Sequence, residues 1–112
     1  MSPISTHVLD THTGLPAGNV DVTLEQQAKG CWIPLAKGRT DTDGRVRDLV
    51  TDASIAPGIY RMTFQTGEYF QAEGVTGFYP SVSILFEITS PTQHYHIPLL
   101  LSPYGYSTYR GS

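Results

Sequence analysis

The chain holds one cysteine, Cys31, so no intramolecular disulfide can form and nothing in the sequence points to an oxidising compartment. Buried packing is the role expected of that thiol. A basic cluster is also missing: Lys and Arg total 7 against 10 Asp and Glu, for a net charge of -3. That balance lacks the electrostatic footprint of a nucleic-acid binder and makes anionic membrane surfaces poor partners. No apolar run approaches the length of a membrane span, and the six residues before His7 are too few for a charged and an apolar leader region. With no Ser-Lys-Leu ending either, the expected compartment is the cytoplasm. Internal repeats, low-complexity segments and linkers are absent, and no Gly-x-Ser-x-Gly elbow supports a serine nucleophile. Charged residues make up only 15% of the chain, below the about 25% of ordinary domains, while tyrosine reaches 7. Part of the surface is therefore expected to be interface.

What is present is period-two alternation. At 112 residues the chain is expected to be one domain, 1–112, able to bury roughly two-thirds of its unfolded surface. Val20, Val22 and Leu24 alternate with Asp21, Thr23 and Glu25; Tyr60, Met62 and Phe64 alternate with Arg61, Thr63 and Gln65. Val82, Ile84, Phe86 and Ile88 form a third apolar face of this kind. Each pattern predicts a strand with one face on a core. Turn chemistry separates the apolar runs at Gly14–Gly18, Thr40–Gly44, Ala56–Gly58 and Ser102–Gly105. Only 67–74 reads as helical, and two turns cannot stand alone. The expected fold class is all-β, a mainly antiparallel sandwich with one short helix between two late strands.

Strand parity then sorts the chemistry, because residues at i and i+2 share a face. In the segment from His94, the residues Tyr95, Ile97, Leu99 and Leu101 form the core face, and His94 and His96 point the other way with Pro98, Leu100 and Ser102. His7 shares a face with Leu9 and Thr11, and Ser107 shares one with Tyr109. If those three strands are neighbours, one sheet face collects imidazoles and hydroxyls inside an apolar rim, the usual composition of a small-molecule site. Pro98 stands against this arrangement, since proline inside a strand implies an edge or a bulge. Arg45, following the turn Thr42-Asp43-Gly44, reads by itself as a solvated loop residue, and His12 as a solvated imidazole.

Four stretches carry a resemblance: His7-Val8-Leu9-Asp10 with Gly14, Pro16 and Ala17; Asp43-Gly44-Arg45; His94 to Pro103; and Tyr106 to Ser112. Together they resemble the 5-hydroxyisourate hydrolases, the transthyretin-related enzymes of urate breakdown. The resemblance implies a transthyretin-like (prealbumin-like) sandwich of two four-stranded sheets, assembled as a homotetramer, a dimer of dimers whose sites open where dimers meet. It implies hydrolysis of 5-hydroxyisourate to 2-oxo-4-hydroxy-4-carboxy-5-ureidoimidazoline, with neither metal nor other cofactor. By position it assigns His7, Arg45 and His96 to catalysis, and His7, Arg45, Tyr109 and Ser112 to binding the small-molecule substrate. His7 and His96 would jointly activate water and deliver protons, as an imidazole with a pKa of about 6.5 can do near neutrality. Arg45 would meet the negative charge with its fixed planar donors, and Tyr109 and Ser112 would orient the ring. Because the tetrapeptide Tyr109 to Ser112 is the last of the sequence, an extension beyond Ser112 is expected to impair activity.

Two other readings remain open. His94-x-His96 with His7 could form a three-histidine zinc site carrying a reactive water, a metal-dependent hydrolase. A transthyretin-like channel could instead carry a small ligand without catalysis, although imidazoles and Arg45 suit an apolar carrier badly.

Overall fold

A computed structural model describes residues 3–47, 49–50 and 55–111. Eight strands and one helix follow in order: β1 Ile4–Asp10, β2 Leu15–Pro16, β3 Asp21–Ala28, β4 Cys31–Arg39, β5 Gly58–Phe64, α1 Thr66–Ala72, β6 Val82–Ile88, β7 Tyr95–Ser102 and β8 Gly105–Thr108. They form two four-stranded sheets, β2-β1-β7-β8 and β4-β3-β5-β6. All pairs are antiparallel except β1 with β7, which run parallel with Ser5 opposite His96 and His7 opposite Pro98.

Alternation explains the core. Ile4 and Val8 of β1 and Ile97, Leu99 and Leu101 of β7 turn inward from one sheet. Val22, Leu24, Tyr60, Met62, Phe64, Val82 and Ile88 meet them from the other. Full burial of such a side chain contributes about 1.5–3 kcal/mol, and this layer fixes which face of β1 and β7 is left outside. The outer face of those strands carries Ser5, His7 and His96, all half-buried. Helix α1 is too short to persist alone and is held by tertiary contacts. Tyr69 and Phe70 are buried, and the Tyr69 hydroxyl donates to Oδ2 of the buried Asp10 at 2.7 Å. Burial first, and the Asp10 carboxylate next, push the Tyr69 phenol well above its usual range.

Two expectations meet their physical outcome here. Cys31 is exposed, not buried. It opens β4 directly after a two-residue hairpin turn in which Lys29 and Gly30 both have positive φ, and its Sγ donates to the Ala28 carbonyl at 3.0 Å. Pro98 lies inside β7, which has neighbours on both sides, without breaking the sheet. The Leu101 carbonyl of β7 faces β1, accepting from the Thr11 amide, whereas the Pro98 carbonyl accepts from the Thr108 hydroxyl on the β8 side. The missing N–H therefore also points toward β8, where the ladder has just ended at the Leu99–Thr108 pair. The pairing resumes in the same register at His96 and Gly111, so the proline interrupts the ladder for one step opposite Tyr109 and leaves Tyr109 and Arg110 outside the strand.

Candidate active site

The outer face of β1 and β7 gathers the site. His96 and Ser5 are register partners across the parallel pair, and His7 lies two residues further along β1 on the same face. Arg45 arrives from the other side of β1. The Gly44 carbonyl accepts from the Val8 amide at 2.8 Å, and Arg45 forms an isolated antiparallel bridge with His7. Gly44 has a φ of 75°, and a Cβ on it would fall 2.4 Å from the Val8 carbonyl oxygen. Only glycine lets this turn lie so close against β1. Asp41 tightens the same turn by accepting from the amides of Asp43 and Arg45 at 2.9 and 3.1 Å. The Asp41 carboxyl is held below its usual range, chiefly by the Arg45 amide.

The far end of the chain folds back onto β7. Gly111 donates its amide to the His96 carbonyl at 2.9 Å and bridges it in antiparallel fashion. A Cβ on Gly111 would sit 2.5 Å from Cδ2 of His96, so the backbone covers the imidazole at a distance closed to any side chain. Arg110 lies over the Tyr95 ring, 4.6 Å from its centre, and donates to Oε1 of Gln93 at 2.8 Å. Tyr109 is exposed and, with His96, lines a cavity of about 390 Å³ between β6 and the chain end. His7 and Arg45 do not line that cavity. Thus His7, Arg45 and His96 come together on one face, while Tyr109 joins only His96. Ser112 lies outside the described residues.

The electrostatics favour a neutral His96. Burial lowers its pKa from the ordinary 6.5, and the nearby His7, His94 and Arg45 lower it further. The unfolded chain therefore binds a proton at this position more readily than the folded one. Its contribution to stability is complete above about pH 6.5 and is lost as the pH falls through the lower folded-state value. Urea unfolding is expected to give a lower midpoint at about pH 5.5 than at about pH 7.5, with the difference reduced in His96→Asn. An undiminished difference in the variant would assign the acid sensitivity to another group.

One residue outside the expected set, Ser5, lies on this face beside His94 and His96. Ser5 Oγ is 2.9 Å from Nε2 of His94 and 2.8 Å from Nδ1 of His96, so both imidazoles turn toward one hydroxyl. Ser5 shares its parity with His7, which is the sequence signal that could have placed it on this face. Among the described residues, no group of three or more His, Cys, Asp or Glu is placed to hold a metal ion. No helix of the described residues is long and apolar enough to cross a membrane.

The sequence model of the HIUase/Transthyretin family matches residues 4–111. The 5-hydroxyisourate hydrolase of Salmonella typhimurium is 49% identical over 109 residues, covering 97% of this chain and 80% of the relative. Among solved structures, the Klebsiella pneumoniae 5-hydroxyisourate hydrolase superposes with a TM-score of 0.86 at 36% identity, covering 97% of this chain and 98% of that one. Sea bream transthyretin, solved with thyroxine, superposes with a TM-score of 0.91 at 35% identity, covering 97% and 94%. The hydrolase and the thyroxine-bound transthyretin thus share the fold with this chain at nearly equal identity, so fold alone does not choose between them.

Proposed function

The chain belongs to the HIUase/Transthyretin family, and from that premise we propose that it hydrolyses 5-hydroxyisourate, opening the ring to 2-oxo-4-hydroxy-4-carboxy-5-ureidoimidazoline. The observation that carries this reading is the identity of 49% to a hydrolase across 97% of the chain. The side chains on the outer face of β1 and β7 supply a chemistry suited to it. Water adds to a ring carbonyl, the carbonyl oxygen gains negative charge, and the adjoining carbon–nitrogen bond breaks as the nitrogen takes a proton. His7 and His96 are the proton-handling groups, and a positioned base supplies on the order of 100- to 10,000-fold. Arg45, delivered beside His7 by the Gly44 turn, opposes the charge of the substrate and of the oxyanion. Tyr109 and Ser112 orient the ring.

Residues 1–112 act as one hydrolase domain, and the working assembly is a homotetramer in the cytoplasm. The sheet edges support self-association: β6 and β8 each lie at an edge, and they expose Leu85 (63%) and Tyr106 (42%). No metal enters the scheme. His94 and His96 converge on the Ser5 hydroxyl, and His96 Nδ1 is engaged there.

The test is the decay of 5-hydroxyisourate generated freshly by urate oxidase, followed with and without the protein. The protein is expected to accelerate the decay and to keep doing so in the presence of a chelator. A decay equal to the spontaneous rate would sink the enzyme reading and leave the carrier. Activity abolished by chelator and restored by zinc would favour the three-histidine metal site.

A further inference from the structure

The Ser5 hydroxyl stands between two imidazole nitrogens, Nε2 of His94 and Nδ1 of His96. Nδ1 of His94 is buried and has no hydrogen-bond partner among the described residues. Together these contacts dictate where the protons lie. A hydroxyl has one proton, so Ser5 donates to one imidazole and accepts from the other. A proton on Nδ1 of His94 would be a buried, orphaned N–H, the kind of group native structures avoid most strictly. The proton of neutral His94 therefore sits on Nε2 and is donated to Ser5 Oγ. Ser5 in turn donates to Nδ1 of His96, which must be bare to accept. The remaining proton of neutral His96 is then on Nε2, the nitrogen that Ser5 does not engage.

We propose that Ser5 and His94 are positioning residues that lock His96 as its Nε2–H tautomer, making His96 the hydrogen-bond donor to the oxyanion and His7 the base. This division of labour rests on the hydrolase reading above. In it, His7 takes one proton from the attacking water as the new carbon–oxygen bond forms. Nε2–H of His96 and the Arg45 guanidinium share the negative charge on the former carbonyl oxygen. When the carbon–nitrogen bond breaks, His7 returns its proton to the departing nitrogen. The second proton of the water leaves from the new carboxylic acid to solvent, and both histidines finish neutral. The depressed pKa of His96 fits a group that works as a neutral donor. Gly111 keeps the ring in register by covering it from the chain end.

The tautomer is readable without catalysis, from the two ring nitrogen shifts of His96 in a 15N-labelled protein near neutral pH. The expected spectrum has His96 protonated on Nε2 alone. In Ser5→Ala that single tautomer should give way to an averaged one, and kcat should fall about tenfold with KM within about twofold, since the loss is one of orientation and not of substrate contact. Ser5→Thr keeps the hydroxyl and should restore both readouts. A wild-type His96 protonated on Nδ1 overturns the relay. So does a Ser5→Ala protein with unchanged tautomer, whether or not its kcat falls. If the wild type fails to accelerate 5-hydroxyisourate decay, the hydrolase reading falls on its own, whatever the spectrum shows.

Discussion

Replacing His96 by asparagine is expected to lower kcat by roughly 100- to 10,000-fold, the range that a group acting on the reacting atoms supplies. Stability near neutral pH should change by no more than about 1 kcal/mol, as for a substitution outside the core. His96 is half-buried and turned away from the layer formed by Ile97, Leu99 and Leu101, so its removal opens no cavity between the sheets. The shorter amide can still reach toward Ser5 from the position of Nδ1, but nothing of it reaches the position of Nε2. His96→Gln makes the complementary change, bringing an N–H donor near Nε2 without a titratable base. If His96 serves as a donor, glutamine should retain at least about tenfold more kcat than asparagine. Equal loss in both variants would favour His96 as the base, and an unchanged rate in the asparagine variant would remove it from the mechanism.

The strands legible in the sequence were those with a clean inner and outer face. The alternation at Tyr60–Phe64 and Val82–Ile88 matches β5 and β6, because both bury one side against the opposing sheet. The pattern at Val20–Glu25 marks β3, which runs on to Ala28 because its hairpin with β4 prolongs the pairing beyond the core. Strand β4 itself gave no pattern. It is an edge strand, mostly exposed, whose weak alternation of half-buried Trp32, Ala36 and Gly38 is broken by a register shift between the Glu25–Pro34 and Leu24–Ala36 pairs, so no single period runs through Cys31–Arg39. The same exposure explains why Cys31 is not the buried thiol its residue type suggests.

For the site, parity could assign faces but not neighbours. That Ser5, His7 and His96 share a face depends on β1 lying parallel beside β7, a pairing between residues some ninety positions apart that no local pattern encodes. Arg45 is the clearest case. Its own neighbourhood reads as a solvated turn, and only the close approach of Gly44 to Val8 brings it to His7. Pro98, which argued against a central strand, becomes intelligible once its missing N–H is seen to face the end of the β8 ladder.

Gly44→Ala should therefore damage both fold and site. At a φ of 75° an alanine is strained by about 1–2 kcal/mol before any contact is counted. Its Cβ would also meet the Val8 carbonyl oxygen at 2.4 Å, with Cβ of Pro16 at 3.2 Å and the Ala17 amide nitrogen at 3.3 Å. Two of those neighbours are backbone atoms, and the Val8 oxygen is already committed to the Ala17 amide at 3.0 Å. Relief must come from the turn moving away from β1, which breaks the bond from the Val8 amide to the Gly44 carbonyl and the Arg45–His7 bridge. The expected loss of stability is about 2–4 kcal/mol, a large share of the 5–15 kcal/mol typical of a domain. Displacing Arg45 by about 1 Å should lower kcat/KM by on the order of 100-fold, measured where the variant is still folded. Arg45→Ala separates the two effects, since it removes the charge and leaves the turn intact. It should match Gly44→Ala in lost activity while keeping the wild-type unfolding midpoint. A Gly44→Ala protein that is destabilised yet fully active would show that Arg45 does its work without being held beside His7.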